Sequence, residues 1–369
     1  MKITNVRACQ PYCESSPPDW RTDLGQILIA VDTDAGLTGY GVGGGGFASI
    51  HVVQTVLRDM LLGLDPLEIE TLWERMYRRT LAYGQKGLVL MAISGVDLAL
   101  WDLKGRAESL PVSELLGGRR HERLPTYVTV WNDGQLREVA GRGHRGYKLH
   151  LEAMVGGESD QSSDAAAADF VDRVESRVAA ARELLGHEVE LMADAWMQWS
   201  LPTALSVAER LAPYHLSWLE EPLPIDDLAG YRELVDKSPL PIAGGEHEYT
   251  AAAFEHLASE RLHEVLQPDV CWCGGLTQLV RIYEIGAEHG LRVCPHRGAE
   301  LWSLHALAAL DPQPLAESGR GWMTWVKGQP EMEGGEIAVP DSPGIGIHVD
   351  EDRLAVLPAP ANHWTARAR

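Results

Sequence analysis

From residue 189 to residue 317 the chain repeats one pattern: a short, largely apolar run, a single carboxylate or imidazole, then a stretch with helical spacing. Val189–Ala193 leads to Asp194, Leu216–Leu219 to Glu220, and Pro241–Gly245 to Glu246. Val265–Pro268 leads to Asp269, Val293–Pro295 to His296, and Pro314–Ala316 to Glu317. Pro202–Leu211 and Thr277–His289 are helix-like stretches between them. A buried strand followed by a helix, recurring at roughly 30 residues per unit, is the period of a (β/α)8 barrel. All strand C-termini of such a barrel open on one mouth, so the six polar side chains are expected in one ring.

Two earlier stretches extend the pattern. Thr126–Trp131 reads as the first barrel strand and Gly146–Leu151 as the second. Lys148 and His150 lie two apart on the second strand and so share one face. Gly156–Ser163 reads as a polar insertion at the mouth, of the kind that forms lids. Upstream the period changes. Lys2–Gln10 and Gln26–Val42 alternate as an antiparallel sheet, with turn chemistry at Asp32–Gly36. Tyr12–Asp23 reads as a loop, and Gly43–Gly46, with no Lys nearby for a phosphate cradle, as a flexible or close-approach loop. The stretches Glu14–Asp23 and Gly43–Ile50 are expected to close over a ligand. Ala48–Leu62, Pro66–Thr80 and Leu88–Ala107 have helical spacing. The expected organisation is α/β: an α+β capping domain over residues 1–120, a TIM-like (β/α) barrel over 121–318, and a C-terminal segment over 319–369 that packs back on the cap.

The 369 residues are ordinary in composition, but the net charge is −21. That balance argues against nucleic acid and anionic membranes as partners. A small anionic substrate stays compatible, because a bound cation and a local Lys reverse the field at a site. The cysteines are Cys9, Cys13, Cys271, Cys273 and Cys294. An odd count without a signal peptide leads us to expect reduced thiols and a cytoplasmic location. No apolar run reaches the ~20 residues of a membrane span.

Asp194, Glu220 and Glu246 offer carboxylate oxygens from three successive strands, a donor set suited to Mg²⁺. Asp269 and His296 end adjacent strands, and a carboxylate on one imidazole nitrogen frees the other to move a proton. Lys148 can neutralise a substrate carboxylate or, with a depressed pKa, act as a base. Glu317, if protonated, can hydrogen-bond a developing oxyanion. Such a set suits removal of a proton next to a carboxylate.

These residues resemble the enolase superfamily, and within it the mandelate racemase subgroup. The resemblance is carried by Ile93–Gly105 (ISGVDLALWDLKG), Leu115–Gly118, Ala193-Asp194-Ala195, Trp218–Pro222 (WLEEP), Gly245–Glu248 (GEHE), Gln267-Pro268-Asp269, Gly274-Gly275 and Pro295-His296. It implies Asp194, Glu220 and Glu246 as Mg²⁺ ligands, Asp269–His296 as a catalytic dyad, and Glu317 beside the substrate carboxylate or enolate. The GEHE run, with His247 toward the substrate, is most like acid-sugar dehydratases of the L-rhamnonate dehydratase type. The expected reaction is loss of water from a sugar acid to give a 2-keto-3-deoxy acid, in a homo-oligomer. The alternatives are a racemase or epimerase of an α-hydroxy acid, and a metal-binding barrel without catalysis. Two departures leave the second base and the sugar open. Lys148-Leu149-His150 stands where racemases have Lys-x-Lys, and Tyr12–Asp23 contains no His.

Overall fold

A computed structural model describes residues 1–11, 25–155, 164–298, 300–318, 325–354 and 356. The loop expected over 12–23 and the polar insertion expected over 156–163 lie outside the described residues. The chain divides into two compact units: Met1–Val112 with Arg320–Gln329 and Ser342–Arg369, and Ser113–Gly319 with Pro330–Asp341.

In the first unit, strands β1 (Ile3–Cys9), β2 (Ile27–Thr33) and β3 (Thr38–Gly43) form an antiparallel sheet in that order. The long helix Leu88–Glu108 lies against β3. Its closeness explains the glycines of that strand. A Cβ at Gly41 would stand 2.1 Å from the carbonyl oxygen of Gly95, and one at Gly43 2.2 Å from that of Met91. The glycine run is therefore a close approach at its start. It is not a flexible loop at its end, because a helix begins at Gly46. Asp102, buried in the long helix, accepts from the backbone N–H of Tyr40 and, 243 residues on, from that of Ile345. That second bond fixes part of the C-terminal segment to this unit.

Among the described residues the second unit holds eight parallel strands: β4 (Arg123–Val130), β5 (Gly146–His150), β6 (Glu190–Asp194), β7 (Trp218–Glu220), β8 (Ile242–Gly244), β9 (Val265–Leu266), β10 (Arg292–Val293) and β11 (Ala316–Glu317). They pair in sequence order from β4 to β10, and β11 returns to β4. Tyr127, Met192, Trp218, Ala243, Val265, Cys294 and Leu315 fill the interior as one buried cluster. This is a packed (β/α) barrel, whose C-terminal rim carries the chemistry. One part of the tail goes elsewhere than expected. Pro330–Asp341 belongs to the barrel unit, where Glu336–Ala338 pairs antiparallel with β4 at Arg123–Pro125. The first residues of β4 otherwise offer a bare edge, and this short strand satisfies it.

Behind β8 lies a buried titratable group. A Cβ on Gly244 would stand 2.4 Å from Nε2 of His263, which stacks on Tyr231 at 4.7 Å. Burial pushes the His263 imidazole down to about 4 from an ordinary 6.5. Between those values the unfolded chain binds the proton and the folded chain does not, so folding loses stability as pH falls through this window. The contribution is on the order of 3 kcal/mol. We expect the loss of unfolding free energy between pH 7 and pH 4 to be smaller by about that amount in His263→Phe. Equal losses in both proteins, measured by urea titration, would exclude this origin.

Candidate active site

Backbone register puts the site together. His150, Asp194 and Glu220 are consecutive register partners across β5, β6 and β7. Glu246 follows β8 by two residues, Asp269 follows β9 by three, and His296 follows β10 by three. Glu317 closes the ring as the last residue of β11. Just past the strand ends the backbone turns sharply. Trp196, Glu221 and Arg297 have φ of +46°, +38° and +53°. Left-handed conformations at bulky side chains store strain, and they cluster where function fixes the chain.

Lys148 lies at the centre, 1% exposed. Its Nζ donates to Glu220 Oε1 at 2.6 Å and stands 2.9 Å from Glu317 Oε1 and 3.8 Å from Asp194 Oδ2. Burial opposes the charged ammonium, but Glu220, Glu317 and Asp194 outweigh it and hold the pKa well above the ordinary value. These carboxylates favour the ammonium form of Lys148, the form that neutralises a substrate carboxylate. Its strand mate His150 stacks on Trp131 at 4.0 Å, with Nε2 3.9 Å from Asp194 Oδ2.

The opposite side holds the expected pair. His296 Nδ1 lies 3.0 Å from Asp269 Oδ2, and Nε2 lies 3.0 Å from Glu246 Oε2. Asp269 also accepts from the backbone N–H of Cys271 and pairs with Arg297. Burial alone would raise its pKa; Arg297 and His296 bring it well below the ordinary carboxylate range. Glu317 is likewise driven down, to about 2, because Lys148, His296 and the Arg297 N–H override its burial. It thus accepts hydrogen bonds, from Arg297 N at 2.6 Å and from Thr129.

The carboxylates are in excess. Burial, then the charge of Glu220, raises Asp194 well above the ordinary value; burial raises Glu220 despite Lys148. Two adjacent acids that resist ionisation without a partner, both offering hard oxygens, fit a divalent cation. Glu246 is the third oxygen donor, held ionised by His296 and His247 against its burial. A different trio has its possible ligand atoms within 4.8 Å of one another: Glu221, Glu246 and His247. There, however, His247 Nδ1 already lies 2.8 Å from Glu221 and Nε2 3.5 Å from Glu246. Burial opposes the charged imidazole, but Glu246 and Glu221 push it up to about 9. An imidazolium there neutralises one of the two carboxylate charges and already occupies an oxygen of each. His247 therefore braces Glu246 here, a role the expectation of direct substrate contact did not include.

Several partners escaped the sequence reading. Gln267 Nε2 donates to Glu220 Oε2 at 2.7 Å, and Trp218 Nε1 donates to the same oxygen at 2.9 Å. Thr129 shares a strand face with the interior Tyr127, so its two-residue spacing was a readable signal. Gln267, a polar residue inside an apolar run, was another. Arg297 gave only its adjacency to His296.

Comparison with known proteins agrees with this architecture. Residues 133–353 match the family described as "Enolase C-terminal domain-like", and residues 21–117 the "Mandelate racemase / muconate lactonizing enzyme, N-terminal domain". An L-rhamnonate dehydratase of Saccharopolyspora erythraea is 33% identical over 341 residues, covering 89% of this chain and 84% of that protein. The crystal structure of a racemase from Streptomyces coelicolor with bound magnesium is 29% identical, with a TM-score of 0.83 and coverage of 95% and 98%. The 3,6-anhydro-D-galactonate cycloisomerase of Zobellia galactanivorans is 27% identical, again with a TM-score of 0.83 and coverage of 95% and 98%.

Proposed function

Because the chain belongs to the enolase superfamily, in its mandelate racemase and muconate lactonizing enzyme branch, we propose that it is a Mg²⁺-dependent acid-sugar dehydratase. Its substrate is a small aldonate, which loses the C2 proton and the C3 hydroxyl as water; the resulting enol becomes a 2-keto-3-deoxy acid. The observation that carries this reading is the opposition of two unlike groups around the acidic ring. Asp269-bound His296 stands on one side, and Lys148 with His150 on the other. The 33%-identical L-rhamnonate dehydratase supports the reaction class.

Asp194, Glu220 and Glu246 would hold the ion, which supplies positive charge where negative charge grows on the substrate carboxylate. Lys148, already an ammonium among carboxylates, meets the substrate carboxylate from the β5 side. His150, on the same strand face, takes the C2 proton. His296, oriented by Asp269, gives a proton to the departing C3 hydroxyl. Glu317, fixed by Thr129 and the Arg297 N–H, keeps Lys148 in place. The racemase reading uses the same groups, because His150 and His296 face C2 from two sides.

Incubation in D₂O separates the two. A panel of sugar acids is followed by NMR of substrate and product. A 2-keto-3-deoxy acid without a C2 epimer of the starting acid is expected. An inverted sugar acid carrying deuterium at C2, with no keto acid, would make the protein an epimerase.

A further inference from the structure

One buried residue touches all three parts of the acid side of the site. Arg297 follows His296 directly in the chain, and its side chain is 6% exposed. Its Nη2 pairs with Asp269 Oδ2, the same oxygen that faces His296 Nδ1. Its backbone N–H donates to Glu317 Oε2 at 2.6 Å. Its Nη1 lies 3.6 Å from Glu300, and the guanidinium sits 5.5 Å over the Trp272 ring. Its φ of +53° is what turns the backbone N–H and the side chain onto different partners.

We propose that Arg297 is the positioning residue of the Asp269–His296 pair. A carboxylate can rotate about its Cβ–Cγ bond and turn its oxygens out of line with the imidazole N–H. Asp269 has both oxygens assigned: Oδ1 to the Cys271 N–H, and Oδ2 to His296 and Arg297 together. The planar guanidinium, lying over Trp272 and paired with Asp269 Oδ2, restrains that orientation. His296 is then held with Nε2 directed into the ring, toward Glu246 and Glu317. Arg297 itself meets no reacting atom; it acts through Asp269.

The kinetic arm of the test rests on the dehydratase reading, and the structural arm does not. Arg297→Gly removes the side chain while keeping a residue at ease with positive φ, so the bond to Glu317 survives. Arg297→Lys keeps a charge for Asp269 without the planar fork. In a substrate-free crystal structure of Arg297→Gly we expect the His296–Asp269 contact to be lost or split between orientations. With the sugar acid that the wild type dehydrates, we expect kcat to fall about tenfold or more, KM to change less than about threefold, and Arg297→Lys to recover most of the loss. An intact contact in Arg297→Gly overturns the proposal. So does kcat within twofold of wild type, or an Arg297→Lys enzyme no better than Arg297→Gly. Should Arg297→Gly not fold, Arg297→Gln takes its place in the same comparison. If the wild type dehydrates no sugar acid, the dehydratase reading fails, and the crystal contact alone decides the role of Arg297.

Discussion

His296→Asn lowers dehydration by at least about 10²-fold, the lower range for a general acid–base group. The substitution is mild for the fold. Asn keeps a polar atom within reach of Asp269, so the buried carboxylate retains a partner besides Arg297 and the Cys271 N–H. What disappears is the imidazole that can hand a proton to the departing hydroxyl. Because His150 stands apart, on β5, the first half of the reaction survives. The variant should still exchange the C2 hydrogen of its substrate for deuterium in D₂O while forming almost no keto acid. Two results would reverse the assignment. Keto acid formed at nearly the wild-type rate would remove His296 from the chemistry. Loss of C2 exchange together with dehydration would make His296 the base, and His150 a bystander stacked on Trp131.

The parts of this arrangement that could be read in the sequence are those with a local signature. A short apolar run ending in one carboxylate or imidazole needs only its neighbours to be recognised, and all six fell on the barrel rim at or just past strand ends. Lys148 and His150 were legible because a strand repeats every two residues. The parts that were not legible depend on partners far along the chain. The charge of Lys148 depends on Glu220 and Glu317, 72 and 169 positions away, and no local pattern announces it. Arg297 looks like a loop cation until its partners on neighbouring strands are known. The run Gly43–Gly46 resembles a flexible loop until the helix packed on Gly43 and the one that begins at Gly46 are seen. The division of the tail depends on one strand, Glu336–Ala338, too short to carry a periodic signal.

Glu220→Gln and Glu246→Gln each abolish turnover, and exhaustive chelation silences the wild-type protein until Mg²⁺ is returned. The argument starts from the excess of buried carboxylates. Asp194 and Glu220 are raised by burial and by one another or their neighbours, so the ion-free ring carries stored repulsion. In the ion-free protein Glu220→Gln relieves that repulsion and gives up the buried Lys148 pair, two effects of opposite sign. The ion stabilises the wild type by mass action, about 2.7 kcal/mol at a hundredfold excess over its dissociation constant. That thermal shift should vanish in both variants along with activity. Glu221→Gln serves as the control that distinguishes the two possible donor sets. Glu221 is held by His247 and the Gly245 N–H, so its loss frees an imidazolium but leaves Asp194, Glu220 and Glu246 in place. We therefore expect Glu221→Gln to retain a Mg²⁺-dependent rise in melting temperature. If Glu221→Gln loses that rise while Glu220→Gln keeps it, the ion sits with Glu221, Glu246 and His247. Full activity of the wild type after chelation would mean that no ion takes part, and that Lys148 alone balances the charge.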